Sequence, residues 1–310
     1  MSSAMSSEAD IARAAEILAD GGLAVMPTET VYGLACDARN AEAVARVYAA
    51  KGRPRFNPLI AHVRGLEDAL RYAALPAPAL KLAERFWPGP LTLVGPRRAE
   101  SDVCELACAG LSTIALRAPS HPMAQALLAA FGGPIAAPSA NRSGKLSPTS
   151  AAHARADVGE DAAIVLDGGP CTHGLESTII GFDAGGSARL LRPGAIARED
   201  IEALIGPLAE AGESVEAPGM LESHYAPRAH LRLNAEAAEA GEAYLAFGAT
   251  APGGMTLSAS CDVVEAAAKL YAALRALDAT GAETIAVAPI PRMGLGEAIN
   301  DRLRRAAAPR

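Results

Sequence analysis

The chain has 310 residues, half of them hydrophobic, enough to bury a substantial core in one large domain or two ordinary ones. Its 28 basic and 35 acidic residues leave a net charge of −7, which excludes a chain-wide electrostatic grip on nucleic acid or an anionic membrane, so any polyanion must be held locally. Five scattered cysteines without C-x-x-C spacing argue against a disulfide framework or a structural zinc site. There is no basic-then-apolar leader pattern and no run of the ~20 apolar residues a membrane span needs, so a soluble protein of the reducing cytoplasm is expected.

In chain order, Glu8 to Asp20 repeats apolar residues at helical spacing and stops at Gly21-Gly22; the strand Leu23 to Met26 follows at once. That strand runs into "PTETVYGL", which carries more polar chemistry than a turn requires. A helix opened by Asn40 (Ala41 to Ala50), a strand (Leu59 to Val63), a helix ending near Trp87 and a strand (Leu91 to Val94) come next. Strands are legible at Thr113 to Leu116, Ile135 to Ala137, Ile164 to Leu166, Thr178 to Phe182 and Leu190 to Arg192, with a helix at Met123 to Phe131 and another capped by Thr149. This alternation predicts an α/β fold with a twisted mixed sheet. Around residue 200 the sequence becomes rich in Gly, Pro and small residues without sustained periodicity, as expected of a linker. Beyond it, strand (Ala243 to Phe247), helix (Val263 to Leu277), strand (Thr284 to Ala288) and helix (Leu295 to Ala307) predict a second, small α/β unit.

Three stretches carry candidate chemistry. In "AKGRPRFNPLIAH", Lys51, Arg53 and Arg55 fall within five positions at a helix end, either as a phosphate clamp or as basic residues matching a helix dipole. "APSANRSGKLSPTS" mixes hydroxyls, an amide and small residues after a strand; it departs from the Walker pattern and reads either as an anion cradle or as an ordinary polar loop. Glu176, Ser177 and Thr178 enter a strand, while Arg117 and Arg192 each close one, and open α/β sheets place ligand crevices at strand ends. The six histidines show no metal-binding spacing, so no metal site is expected in the protein itself. His62 also suits an ordinary, partly buried histidine.

Taken in order, "PTETVYGL", "KGRPRFNPLIAHV", "FWPGPLTLV", "STIALRAPSHP", "PIAAPSANRSGKLSPT", "GLESTII" and "LLRPGAI" resemble the YrdC-like domain of L-threonylcarbamoyladenylate synthases, and "GMLESHYAPRAHLRL" with "RMGLGEAINDRLRRAA" resembles their two-domain form. The resemblance implies a YrdC-like domain at 8–200, a linker or lid at 201–232 and a small Rossmann-like α/β domain at 233–310. It implies synthesis of threonylcarbamoyl-AMP from ATP, L-threonine and bicarbonate or carbon dioxide, with Mg2+ carried by ATP. The product would pass to a downstream threonylcarbamoyl-transferase complex, with tRNA contact possible but indirect. Position by position, Lys51, Arg53, Ser139 and Asn141 match the catalytic constellation. Arg53, Asn57, Thr113, Ser139, Ser147, Arg192 and Tyr225 match the ATP side, while Thr30, His62, Arg117, Ala137 and Ser177 match the threonine pocket. The rivals are an RNA-binding module, which the acidic balance and few aromatics disfavour, and a carbamoyl-phosphate enzyme, whose larger relatives carry further regions not seen in this sequence.

Overall fold

A computed structural model describes residues 6–183, 185–212, 216–220, 224–249 and 255–309. The elements are α1 (Glu8–Ala19), β1 (Ala24–Met26), β2 (Gly33–Asp37), α2 (Ala41–Lys51), β3 (Ile60–His62), α3 (Leu66–Ala69), α4 (Ala77–Phe86), β4 (Leu91–Pro96), β5 (Thr113–Arg117), α5 (Pro122–Phe131), β6 (Ile135–Ala136), α6 (Ala151–Val158) and β7 (Ile164–Val165). They continue with β8 (Thr178–Phe182), β9 (Ala188–Arg192), α7 (Arg198–Ile205), β10 (Ala209–Glu210), β11 (His230–Leu233), β12 (Ala243–Ala246), β13 (Met255–Thr256), α8 (Val263–Asp278), β14 (Thr284–Val287) and α9 (Leu295–Ala307). Among the described residues the strands form two sheets. The large one runs β10-β9-β8-β4-β5-β3-β6-β2-β1-β7 and mixes parallel with antiparallel pairs; the small one, β11-β14-β12-β13, is parallel throughout. The expected α/β class with a mixed sheet and a second Rossmann-like unit is what the chain adopts.

Local chemistry explains the element ends. α1 opens on a capping box between Ser7 and Asp10, and α2 is capped by Asn40, whose side chain accepts from the amides of Glu42 and Ala43. α2 closes on Gly52 in the left-handed conformation, which leaves Lys51 at the last helical position. α6 is capped by Ser150, one residue later than expected: Thr149 Oγ1 instead meets His153 Nδ1 at 3.4 Å, while Ser150 Oγ accepts from the His153 amide.

Several elements depart from the sequence reading, β2, α7 and β10 among them. β2 pairs antiparallel with β1, so the polar "PTETVY" is the connection of a hairpin; a five-residue run beginning on glycine gave too little alternation to announce a strand. The stretch expected to be a featureless linker holds α7, and β10 adds a short edge to the large sheet. Residues 213–215 and 221–223 of that stretch lie outside the described residues, and with them Glu222 and Ser223 of "ESHYAP".

The principal core packs Leu34, Val44, Val47, Leu82, Leu93 and Leu116 around the large sheet. A second cluster joins the two units: Val31, Leu146 and Leu175 pack with Leu270, Tyr271, Leu274 and Tyr225. Their contact is close at Gly174, where φ is +68° and a Cβ would fall 2.4 Å from the Ala268 carbonyl oxygen on α8.

Candidate active site

The pairing of the central strands assembles the site. β3 and β5 run parallel with His62 opposite Arg117, and β6 runs antiparallel to β3, bringing Ala137 beside Ile60. Thr30 on the β1–β2 connection, Ser177 entering β8 and Arg192 closing β9 reach the same cleft, whose wall also includes Arg53, Ser139 and Tyr225.

On one side Arg117 is buried, and three of its five N–H donors are used. Nη2 donates to Glu29 Oε1 at 2.7 Å, Nη1 to Thr30 Oγ1 at 2.8 Å and Nε to the Gly89 carbonyl at 3.3 Å. Glu29 also accepts from the Ser120 amide at 3.1 Å. Burial pushes the Glu29 carboxyl up, but Arg117 and that amide outweigh it and hold the group below its ordinary value. Burial, reinforced by Arg117, drives His62 down to about 3, so its imidazole is neutral. Its Nδ1 lies 3.3 Å from the Ile135 carbonyl, which assigns the proton to Nδ1 and leaves Nε2 as an acceptor. Ser177 Oγ lies 2.7 Å from Thr92 Oγ1 and 3.1 Å from Arg192 Nη2.

On the other side stand the cations. Lys51 Nζ donates to the carbonyls of Ser139 and Asn141, tying the end of α2 to the "APSAN" loop. Burial, then the charge of Arg53, holds its amine well below the ordinary lysine range. Arg53 donates to the Asn57 side chain at 2.7 Å and to the Pro58 carbonyl at 2.8 Å, and burial lowers it to about 10. Arg192 donates to the Ser177 carbonyl at 2.9 Å and to the Pro218 carbonyl at 3.1 Å. Lys51 and Arg53 are therefore both buried, whereas Arg55 is exposed, so the three neighbouring cations do not form one clamp.

Four other predicted positions, Asn57, Thr113, Asn141 and Ser147, do not line the cleft itself. Asn57 and Asn141 lie behind Arg53 and Lys51, and Ser147 Oγ donates to Glu176 at 2.5 Å. Thr113 shares a face of β5 with Arg117 but sits four residues away, about 13 Å along the strand at ~3.3 Å per residue. Among the described residues, Asn57 Nδ2, Asn141 Oδ1 and His224 Nδ1 are buried polar atoms without a partner, a donor and two potential acceptors available to a ligand. Sequence reasoning gave no site role to His224 or Glu29. The only signal for Glu29 was an acid between two threonines in a short connection richer in polar groups than a turn requires.

Pro218 and Gly219, together with His224 and Tyr225, close the cleft down to a cavity of about 50 Å³. A larger groove, about 520 Å³, lies between β9 and the second unit. There Arg198 pairs with Glu297 at 2.7 Å and Arg305 with Asp301 at 3.1 Å, so these charges are largely neutralised. The smaller cleft is lined by Arg53, His62, Glu176, Arg192 and His224, each shifted from its ordinary titration.

These features define a two-domain α/β protein with a YrdC-like first unit. A family model described as telomere recombination matches residues 16–194, and one described as the threonylcarbamoyl-AMP synthase C-terminal domain matches residues 196–308. Threonylcarbamoyl-AMP synthase of Bacillus subtilis is 40% identical over 326 aligned positions, covering 97% of this chain and 93% of that protein. The synthase of Pyrococcus abyssi is 40% identical over 318 positions, covering 95% and 93%. The crystal structure of P. abyssi Sua5 complexed with L-threonine superposes with a TM-score of 0.89 at 38% identity, covering 97% of this chain and 95% of that one. The chain belongs to the threonylcarbamoyl-AMP synthase family.

Proposed function

We propose that the protein makes L-threonylcarbamoyl-AMP and pyrophosphate from ATP, L-threonine and carbon dioxide or bicarbonate, for threonylcarbamoyladenosine modification of tRNA. The observation that carries this reading is the juxtaposition, in one cleft, of an Arg117–Thr30–His62 pocket with the buried cations Arg53 and Arg192, in a chain whose full-length relatives are named for this product.

In this reading the Arg117 guanidinium receives the threonine carboxylate, with Thr30, Ser177 and the Ala137 backbone completing the pocket, and neutral His62 offers Nε2 to a threonine donor. The amine lone pair attacks carbon dioxide, and the nitrogen loses a proton to water to give the carbamate. A carbamate oxygen then attacks the α-phosphorus, and the bond to the β-phosphate oxygen breaks as pyrophosphate leaves. Lys51, Arg53 and Arg192 neutralise the charge that collects on the departing phosphates, Ser139 and Asn57 supply donors, and no protein nucleophile is needed. Mg2+ arrives with ATP, and Asn141 Oδ1 is a neutral acceptor suited to the ion or to a water on it. Tyr225 closes over the nucleotide; Ser147 and Thr113 belong to the same side.

Among the described residues no helix is long and apolar enough to cross a membrane. We place the reaction in the cytoplasm, with the product handed to a threonylcarbamoyl-transferase complex and tRNA engaged indirectly. The decisive assay measures pyrophosphate release with each substrate omitted in turn. Release that ignores threonine overturns the proposal.

A further inference from the structure

Arg302, on α9 of the second unit, is only 1% exposed although it carries a full charge. Its Nε donates to Glu176 Oε2 at 2.8 Å, Nη1 to Asp301 at 2.7 Å and Nη2 to the Pro193 carbonyl at 2.9 Å. Its guanidinium carbon sits 5.0 Å from the centre of the Tyr225 ring. Glu176 in turn accepts from Ser147 Oγ and, at 2.9 Å to each oxygen, from Tyr271 Oη on α8. Burial alone would push this carboxyl up, but Arg302 and then Arg192 hold it down to about 2. The first unit thus keeps an ionised carboxylate in its cleft wall, and two side chains of the second unit satisfy it.

Both segments that Arg302 holds lead directly into the site. Ser177 follows Glu176, and Arg192 precedes Pro193. They are tightly packed: a Cβ on Gly194 would lie 2.4 Å from both the Ser177 carbonyl carbon and the Thr178 nitrogen. The guanidinium of Arg192 already bonds the Ser177 carbonyl and hydroxyl.

We propose that Arg302, supported by Tyr271, is a positioning residue for the synthase reaction, and that the second unit sets the geometry of Ser177 and Arg192 by neutralising Glu176 and tethering Pro193. The inference rests on the function proposed above. If Arg302 is removed, Glu176 stays buried but loses its strongest counter-charge, and the next cation that acts on it is Arg192. An unpaired buried carboxylate draws that guanidinium toward itself and away from the nucleotide side of the cleft.

The test compares Arg302→Met, the charge-balanced double variant Glu176→Gln/Arg302→Met, Arg302→Lys and Tyr271→Phe in the full chain. Threonine-dependent pyrophosphate release is followed with ATP and threonine varied separately, and thermal melting reports folding. Arg302→Met is expected to raise the KM for ATP at least roughly tenfold, as befits a one-sided break of a buried pair. The double variant should return it to within about threefold of the unaltered protein, because no uncompensated charge is left, and Arg302→Lys should recover part of the loss. Damage due only to lost packing would persist in the double variant, and that result, or an unchanged KM in folded Arg302→Met, overturns the inference. If Arg302→Met does not fold, Tyr271→Phe decides: it keeps the ring and removes one donor, and an unchanged KM for ATP overturns the proposal. Failure of the unaltered protein to release pyrophosphate with threonine would instead count against the function itself.

Discussion

Glu29 and Arg117, 88 residues apart in sequence, form a buried ion pair of 2.7 Å that fixes one edge of the guanidinium while Thr30 holds another. An arginine awaiting a free amino acid would otherwise rotate among several rotamers, so Glu29 sets its direction in advance. Glu29→Gln preserves shape but removes the counter-charge. The expected result is a KM for threonine raised about tenfold, or ~1.4 kcal/mol, with the KM for ATP little changed. Steady-state kinetics with each substrate varied checks this, and an unaltered KM for threonine would remove Glu29 from the site.

Lys51→Ala and Arg53→Ala should each lower turnover by about two to three orders of magnitude, the usual consequence of losing a group that stabilises developing charge. The two should differ in stability. Lys51 ties two carbonyls of the "APSAN" loop to α2, so its removal is also expected to cost about 1–3 kcal/mol of folding free energy through those stranded acceptors. Urea denaturation beside the turnover assay separates the effects, and full turnover in either variant would refute its catalytic assignment.

Acid should destabilise the fold early. His62 and His224 are each driven down to about 3 by burial, against an ordinary 6.5. Between those values the unfolded chain binds more protons than the native one, so the stability present above pH 6.5 is lost progressively as pH falls toward 3. Glu176, held at about 2 against an ordinary 4.5, adds a loss that begins below pH 4.5. Melting temperature measured from pH 7.5 to 4 should decline below pH 6.5, with a shallower decline in His62→Gln. A flat profile would mean that His62 is already charged in the native state.

The strap that Pro218 and Gly219 form at the cleft should respond to one methyl group. Gly219 has φ +86°, and a Cβ there would fall 2.6 Å from Tyr225 Oη and 2.8 Å from Arg192 Cδ. Gly219→Ala and Tyr225→Ala are therefore expected to hinder closure, so that ATP is consumed but less threonylcarbamoyl-AMP is retained, because water reaches the adenylate. Quantifying product against pyrophosphate checks this. Equal ratios in both variants and the unaltered protein would exclude a role in closure. Removing the second unit altogether is a poorer experiment, because Val31, Leu146 and Leu175 would lose their partners on α8.

Local chemistry announced Lys51, Arg53 and Arg117, since cations at the ends of helices and strands stand out in a chain of this composition. Asn40 likewise marked the start of α2. The partners of these residues were not legible: Glu29 meets Arg117, and Arg302 meets Glu176, only because distant segments are brought together, and no local pattern encodes such a pairing. α7 was hidden for another reason, as its two turns contribute a single fully buried side chain, Ile201, too little periodicity to stand out from a Gly- and Pro-rich neighbourhood.

On the proposed function, the bond from Arg192 Nη1 to the Pro218 carbonyl makes the strap an internal rival of the nucleotide. A nucleoside triphosphate does not fit in about 50 Å³, so it must displace a stretch of the protein's own backbone before its phosphates reach the same donor. On the proposed function, the apparent affinity for ATP is then the intrinsic affinity scaled by the fraction of molecules whose strap is open. In that case the same few residues that keep water from the finished adenylate also set how much ATP the enzyme needs to begin.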